Sequence, residues 1–142
     1  LILKNIDDDN AGRYRQQNVL ISGATSTPPD YTLLNDKMTQ LVDWYNSEAH
    51  KLHPIERAAK VHADFVGIHP FIDGNGRTSR LLMNLELLKA GYPPCVITVE
   101  NRLAYYEALD QWMAYGKTEA FIQLVSAAVL EGFKPYQVVL NL

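Results

Sequence analysis

At 142 residues the chain fits one domain, able to bury roughly 68–70% of the surface that its unfolded form would expose. A 47% hydrophobic and 20% charged composition excludes a disordered tail, and no apolar run reaches membrane-spanning length, so no membrane partner is expected. Thirteen Lys plus Arg against sixteen Asp plus Glu leave a net charge of −3, which argues against nucleic acid as a partner and makes any phosphate-binding role local.

The chain opens at Leu1 without a methionine, and LILKN has neither the length nor the cleavage pattern of a signal peptide. Residues 1–142 are therefore expected to be a single domain cut from a longer protein, with upstream targeting or regulatory segments left open. LILKNIDDDNAG reads as the end of a helix running into an acidic turn, because the periodic apolar residues stop at Ile6 and Asp7–Asn10 and Gly12 follow. In YRQQNVLISGATSTPPDY, Val19 and Ile21 alternate with Leu20 and Ser22, and Gly23 to Pro29 supply turn chemistry. This predicts a short, partly exposed β-hairpin or flap.

Leu34, Met38, Leu41, Val42 and Tyr45 recur at helical spacing behind a Pro-Pro-Asp start, predicting a helix from about Tyr31 to Asn46. A second helix runs from Pro54 to about Ile68 with Ile55, Ala58, Ala59, His62, Phe65 and Val66 as its buried stripe, leaving His69 at the end of the same face. A third resumes near Arg77, turns Leu81, Leu82, Leu85 and Leu88 inward, and stops at Gly91 before Pro93 and Pro94. Cys95, the only cysteine, cannot form an internal disulfide and reads as a small buried filler. Thr98 is the expected N-cap of a helix bearing Leu103, Tyr106, Leu109 and Met113. Thr118 is that of one bearing Phe121, Leu124, Val125 and Ala128, closed by Gly132. The expected fold is all-α with a small β-hairpin flap.

The stretch HPFIDGNGRTSR, residues 69–80, interrupts this helical pattern with a histidine, a carboxylate, a Gly-Asn-Gly and two arginines. Gly74, Asn75 and Gly76 directly precede a helix, so successive backbone N–H groups can form an anion nest reinforced by the positive end of the helix. An ordinary turn would explain the glycines alone. It would not explain Arg77 and Arg80, three apart on one face of the first turn, where positive charge opposes the helix dipole unless an anionic ligand offsets it. Asp73 suits Mg²⁺, which takes one or two carboxylates plus waters and substrate phosphates, although an Asx turn before glycine would place it there too. His69 is the base candidate. His62 reads as a core or supporting histidine, and His50 and His53 as surface residues. No GxxxxGK[ST] is present, and the partial GxG follows a helix rather than a strand, so neither a P-loop nor a dinucleotide-binding fingerprint fits. Base, metal, nest and charge clamps together point to phosphoryl or nucleotidyl transfer.

Residues 69–80 meet HPFx[DE]GNGRxxR at every defined position, and the chain here resembles the Fic family. The resemblance extends to HPIERAAKVHADFVGIHPF, to LLMNLELLKAGYPP and to GRYRQQNVLISG. It implies a Fic-type helical core that moves AMP from ATP to a Ser, Thr or Tyr hydroxyl of a target protein. On that resemblance His69 is the general base, Phe71 a buried anchor and Asp73 the Mg²⁺ ligand. Gly74, Asn75 and Gly76 cradle the α- and β-phosphates, and Arg77 and Arg80 neutralise the β- and γ-phosphates. Val19, Leu20, Ile21, Ser22 and Gly23 correspond to a target-docking hairpin. Tyr105 and Tyr106 fall where adenine-pocket residues are placed, Tyr106 being the better core candidate of the two. Gly76, where kinase-type branches carry lysine, argues for AMP transfer. Hydrolytic removal of AMP and a non-catalytic nucleotide-binding module are the alternatives.

The resemblance also implies an inhibitory [ST]xxxE[GN] helix in many members. The nearest match, SAAVLEG, separates Ser126 and Glu131 by five steps, which rotates the two about 140° apart at about 100° per residue. Any brake is thus expected upstream or in another chain. A cytoplasmic, bacterial protein is expected, and an oligomer is compatible with the sequence.

Overall fold

The computed structural model describes residues 2 and 4–140, which hold five α-helices and no strand. They are α1 (Leu34–Ser47), α2 (Pro54–Ile68), α3 (Asn75–Lys89), α4 (Arg102–Tyr115) and α5 (Glu119–Leu140), with 3-10 turns at Tyr31–Leu33 and Ala49–Lys51. The helix α2 is central and packs against all four others. Its composition explains this place: Ala58, Ala59, Val61, His62, Ala63, Phe65 and Val66 are all buried, so apolar or small residues cover most of its circumference, as a core helix requires. Pro54 stands at the first helical position and the His53 ring accepts the Ile55 N–H, fixing the start.

Several expectations need correction. Thr98 does not cap α4, which begins at Arg102 behind Asn101. The flap is not a β-hairpin: residues 18–21 have no regular secondary structure and no partner strand, and a turn follows at Ser22 and Gly23. Side-chain clips hold its ends instead of a ladder, as described below. Residues 4–6 form a turn rather than a helix end, and Leu1 and Leu3 lie outside the described residues.

The buried stripe of α3 is Ser79, Met83, Glu86 and Leu87, while Leu81, Leu85 and Leu88 are exposed and Leu82 is half-buried. Leucine count misleads there because the inward face meets α2, and Glu86 is buried only by virtue of its partners. Its carboxylate accepts from Tyr45 Oη at 2.7 Å, Arg57 Nε at 2.9 Å and Lys89 Nζ at 2.8 Å. Hydrogen bonds from these three groups hold its pKa below the ordinary carboxylate value against the opposing effect of burial.

Finally, α5 does not close at Gly132 but continues through it and through Pro135. A Cβ on Gly132 would stand 3.1 Å from both Cβ and Cγ of Pro93, so this glycine serves close packing against the Pro93–Pro94 segment rather than termination. Cys95 is buried as expected, its backbone held by the Asn84 side chain, and burial pushes its thiol up to about 11.

Candidate active site

The helix α2 ends in a residue that is neither glycine nor asparagine. His69 occupies the left-handed cap position at φ 52°, with its N–H on the Phe65 carbonyl. That turn swings the imidazole back over the last helical turn, where Nδ1 lies 3.1 Å from the Val66 carbonyl. A carbonyl can only accept, so the proton sits on Nδ1 and Nε2 keeps its lone pair. Burial lowers the pKa of the ring, the Arg15 charge pushes it the same way, and the bond to Val66 and the charge of Asp73 oppose them. The neutral, basic form is therefore the resting one at neutral pH.

From His69 the chain loops through Pro70–Asp73 and enters α3. Asn75 builds that loop: its Oδ1 accepts the Phe71 N–H at 2.9 Å and its Nδ2 donates to the Phe71 carbonyl at 2.8 Å. Its side chain is thus spent on both backbone polar groups of Phe71 and buried, leaving its backbone N–H for the cleft. Phe71 is half-buried against the rings of Phe65 and Tyr14. Gly74 takes φ 84° as the N-cap residue, a conformation that favours glycine. Its carbonyl accepts from Thr78 N–H, the first intrahelical bond, so the N–H groups of Asn75, Gly76 and Arg77 have no carbonyl within the helix to reach.

His69, Ile72, Asp73, Gly74, Asn75, Gly76, Arg77 and Arg80 line one cleft of about 250 Å³. Gly76 stands beneath the Arg80 guanidinium, both terminal nitrogens lying 4.0 Å from where a Cβ would be. Asp73 is exposed at the rim, accepting the Gly74 N–H at 2.6 Å and Arg77 Nη2 at 2.8 Å. A single exposed carboxylate beside a nest suits Mg²⁺ with phosphate and water completing the shell. Among the described residues no group of three or more His, Cys, Asp or Glu could hold a metal by protein ligands alone.

The two tyrosines separate, in the reverse of the expected sense. Tyr105 is in the core at 3% exposure and Tyr106 is half exposed, with Arg102 5.7 Å above its ring. Turning α4 by this one residue buries Tyr105, Ala108 and Leu109 and leaves Leu103 outside. The Tyr105 hydroxyl meets Nε2 of the fully buried His62 at 2.9 Å and is also within reach of Arg80. A hydroxyl carries one hydrogen and two lone pairs, so it can serve both neighbours whichever ring nitrogen of His62 holds the proton. Nδ1 has no partner of good hydrogen-bond geometry, though the Ser79 backbone is close enough to act on the ring's charge.

Glu131, the acid of SAAVLEG, is exposed on α5 and paired with Lys134 at 2.6 Å. Sequence reasoning missed Arg15, which is buried and reaches the His69 carbonyl through Nε at 2.9 Å. Its only sequence signal was a base beside the flap.

The profile of the Fic/DOC family matches residues 1–87. Protein adenylyltransferase fic-1 of Caenorhabditis elegans is 43% identical over 109 residues, which are 76% of this chain and 21% of that protein. Protein adenylyltransferase Fic of Nematostella vectensis is 46% identical over 117 residues, 82% of this chain and 27% of that protein. Among solved structures, Fic-1 of C. elegans (residues 134–508) superposes at a TM-score of 0.85 and 36% identity, over 98% of this chain and 40% of that chain. The chain thus spans well under half the length of these relatives.

Proposed function

The chain belongs to the Fic/DOC family, and from that premise we propose that it transfers AMP from ATP to a hydroxyl side chain of a protein. The observation that carries this reading is the orientation of His69, whose Nδ1 is held by the Val66 carbonyl so that Nε2 is free at the edge of an anion-binding cleft. Nε2 takes the proton of the acceptor hydroxyl as its oxygen bonds to the α-phosphorus; the bond to the bridging oxygen breaks, and pyrophosphate leaves with that electron pair. The N–H groups of Asn75, Gly76 and Arg77 hold phosphate oxygens, and Arg77 and Arg80 offset the charge of the leaving group. Asp73 is the residue to hold Mg²⁺, which supplies charge neutralisation of the phosphates when bound. In the resting site Asp73 and Arg77 neutralise each other.

The target docks on the flap. Leu20 is 82% exposed while Val19 and Ile21 are half-buried, an unpaired stretch offered to a strand from a protein carrying a Ser, Thr or Tyr hydroxyl. Of the two tyrosines, Tyr106 is the half-exposed one and the candidate for adenine, which would share its ring with Arg102, while Tyr105 lies in the core within reach of Arg80. A brake is supplied from outside residues 1–142, since Glu131 is engaged by Lys134 rather than Arg80. Among the described residues no helix is long and apolar enough to cross a membrane. The curated relatives named above are animal proteins and lend no support to a bacterial, cytoplasmic origin.

Incubation with ATP labelled on the α-phosphate, beside a parallel γ-label, tests the reaction in a cell lysate. Only the α-label should enter protein. Transfer of the γ-label would identify a kinase, ATP binding without transfer a binding module, and release of AMP from labelled protein the hydrolytic reaction.

A further inference from the structure

We propose that Arg15 is a positioning residue that locks His69 and the flap into one unit, ordering the candidate base and the target-docking edge together. The proposal deepens the reading above and rests on it for the roles of those two parts. The Arg15 guanidinium reaches three separate chain segments. Nε donates to the His69 carbonyl at 2.9 Å, Nη1 to the Gln17 carbonyl at 2.9 Å and Nη2 to the Pro29 carbonyl at 2.6 Å. The Arg15 backbone N–H adds a bond to the Pro70 carbonyl at 2.9 Å.

Gln17 and Pro29 are the two ends of the flap, so one side chain closes its neck and ties that neck to the loop carrying the base. A second clasp adjoins it, with Asn18 Nδ2 on Asp30 at 2.8 Å and the Tyr31 N–H on Asn18 Oδ1 at 2.9 Å. Beyond the neck, Asp110 of α4 accepts the Thr25 N–H at 2.7 Å.

Only 3% of Arg15 is exposed, and burying a charge is unfavourable unless its donors are satisfied. Here each of the three nitrogens has a neutral carbonyl partner, which a surface arginine would not need. The planar fork is required, because a lysine ammonium is a single point and cannot span three carbonyls in fixed directions. His69 needs such restraint: a non-glycine residue at φ 52° persists only where its surroundings over-determine it, and Arg15 grips the carbonyls of both His69 and Pro70. Arg15 does not line the cleft, so it acts on phosphate only through the backbone it holds.

Hydrogen exchange of residues 1–142, wild type against Arg15→Lys and Arg15→Gln, reads this coupling without requiring activity. Exchange should quicken by about ten- to a hundred-fold at the hydrogen-bonded flap amides of Ala24, Thr25 and Ser26 and, together with them, at those of His69 and Phe71, while the core amides of α2 and α3 keep their protection. The α-label assay on self-labelling should show turnover falling at least about tenfold in Arg15→Lys with ATP affinity within about twofold of wild type. Faster exchange in the flap alone, or in every helix alike, would overturn the proposal. Should neither variant fold, the urea dependence of wild-type exchange decides: one shared opening for the amides of Arg15 and His69 supports coupling, and separate openings refute it. Absence of α-label transfer by the wild type would sink the functional reading while the exchange result stands.

Discussion

Lowering the pH from 7 to 4 should cost the fold about 3 kcal/mol through His62 alone. The ring is fully buried, lies against Phe121 at 5.2 Å and 27°, and pairs through Nε2 with the Tyr105 hydroxyl. Burial pushes its pKa down from 6.5 to about 4, with the Arg80 charge acting the same way and the Ser79 backbone against it. Tyr105 itself is pushed up to about 12, again by burial, and remains a donor throughout this range.

Between pH 6.5 and 4 the unfolded chain binds a proton that the folded one refuses, so stability rises with pH across that window. The contribution is intact above 6.5 and lost as the pH falls toward 4. About 2.5 units at about 1.36 kcal/mol each give the stated loss. Glu86 and Asp30 are lowered carboxylates, whose stabilisation is present above their unfolded values of 4.5 and 3.8 and is lost only below those. His69 shares the direction of His62 and the same unfolded value, so a paired variant is needed. Urea unfolding followed by circular dichroism at pH 7, 6, 5 and 4.5 should show wild type losing stability faster than His62→Gln, which keeps an acceptor near Nε2 but does not titrate. Parallel curves for the two proteins would refute a buried neutral His62.

Three further outcomes are expected. His69→Ala should lower α-label transfer by roughly 10²–10⁴-fold with calorimetric ATP affinity unchanged, and the acid limb of the wild-type rate should have its midpoint below 6.5, since burial depresses this imidazole. Near-native transfer by that variant would remove His69 from its role. Asp73→Ala should raise the Mg²⁺ concentration needed for half-maximal transfer, whereas an unchanged titration would leave Asp73 as a turn residue. Asn75→Ala strands both backbone polar groups of Phe71 and should lower unfolding free energy by about 2 kcal/mol in urea, at roughly 1 kcal/mol per lost bond; a loss under about 0.5 kcal/mol would deny the loop-building role.

The helices and the grouping of the candidate site were legible because both are local. Pro54–Ile68 is bounded by its own proline and its own periodicity, and residues 69–80 need only one loop and one helical turn to bring His69, Asp73, Gly76 and Arg80 around a single cleft. Tertiary packing decided which face each helix buries. In α3 the inward positions went to Ser79 and to Glu86, whose burial depends on Arg57 and Tyr45 from other helices, and a local pattern of leucines carries no trace of those partners. The same holds for Tyr105 over Tyr106, neighbours separated only by the rotation of α4 against Phe121 and His62. The flap was legible as a non-helical segment but not as to its closure, and Arg15 was invisible for the same reason: its three acceptors are main-chain carbonyls, which every residue possesses, so only the folded chain reveals which ones an arginine will meet.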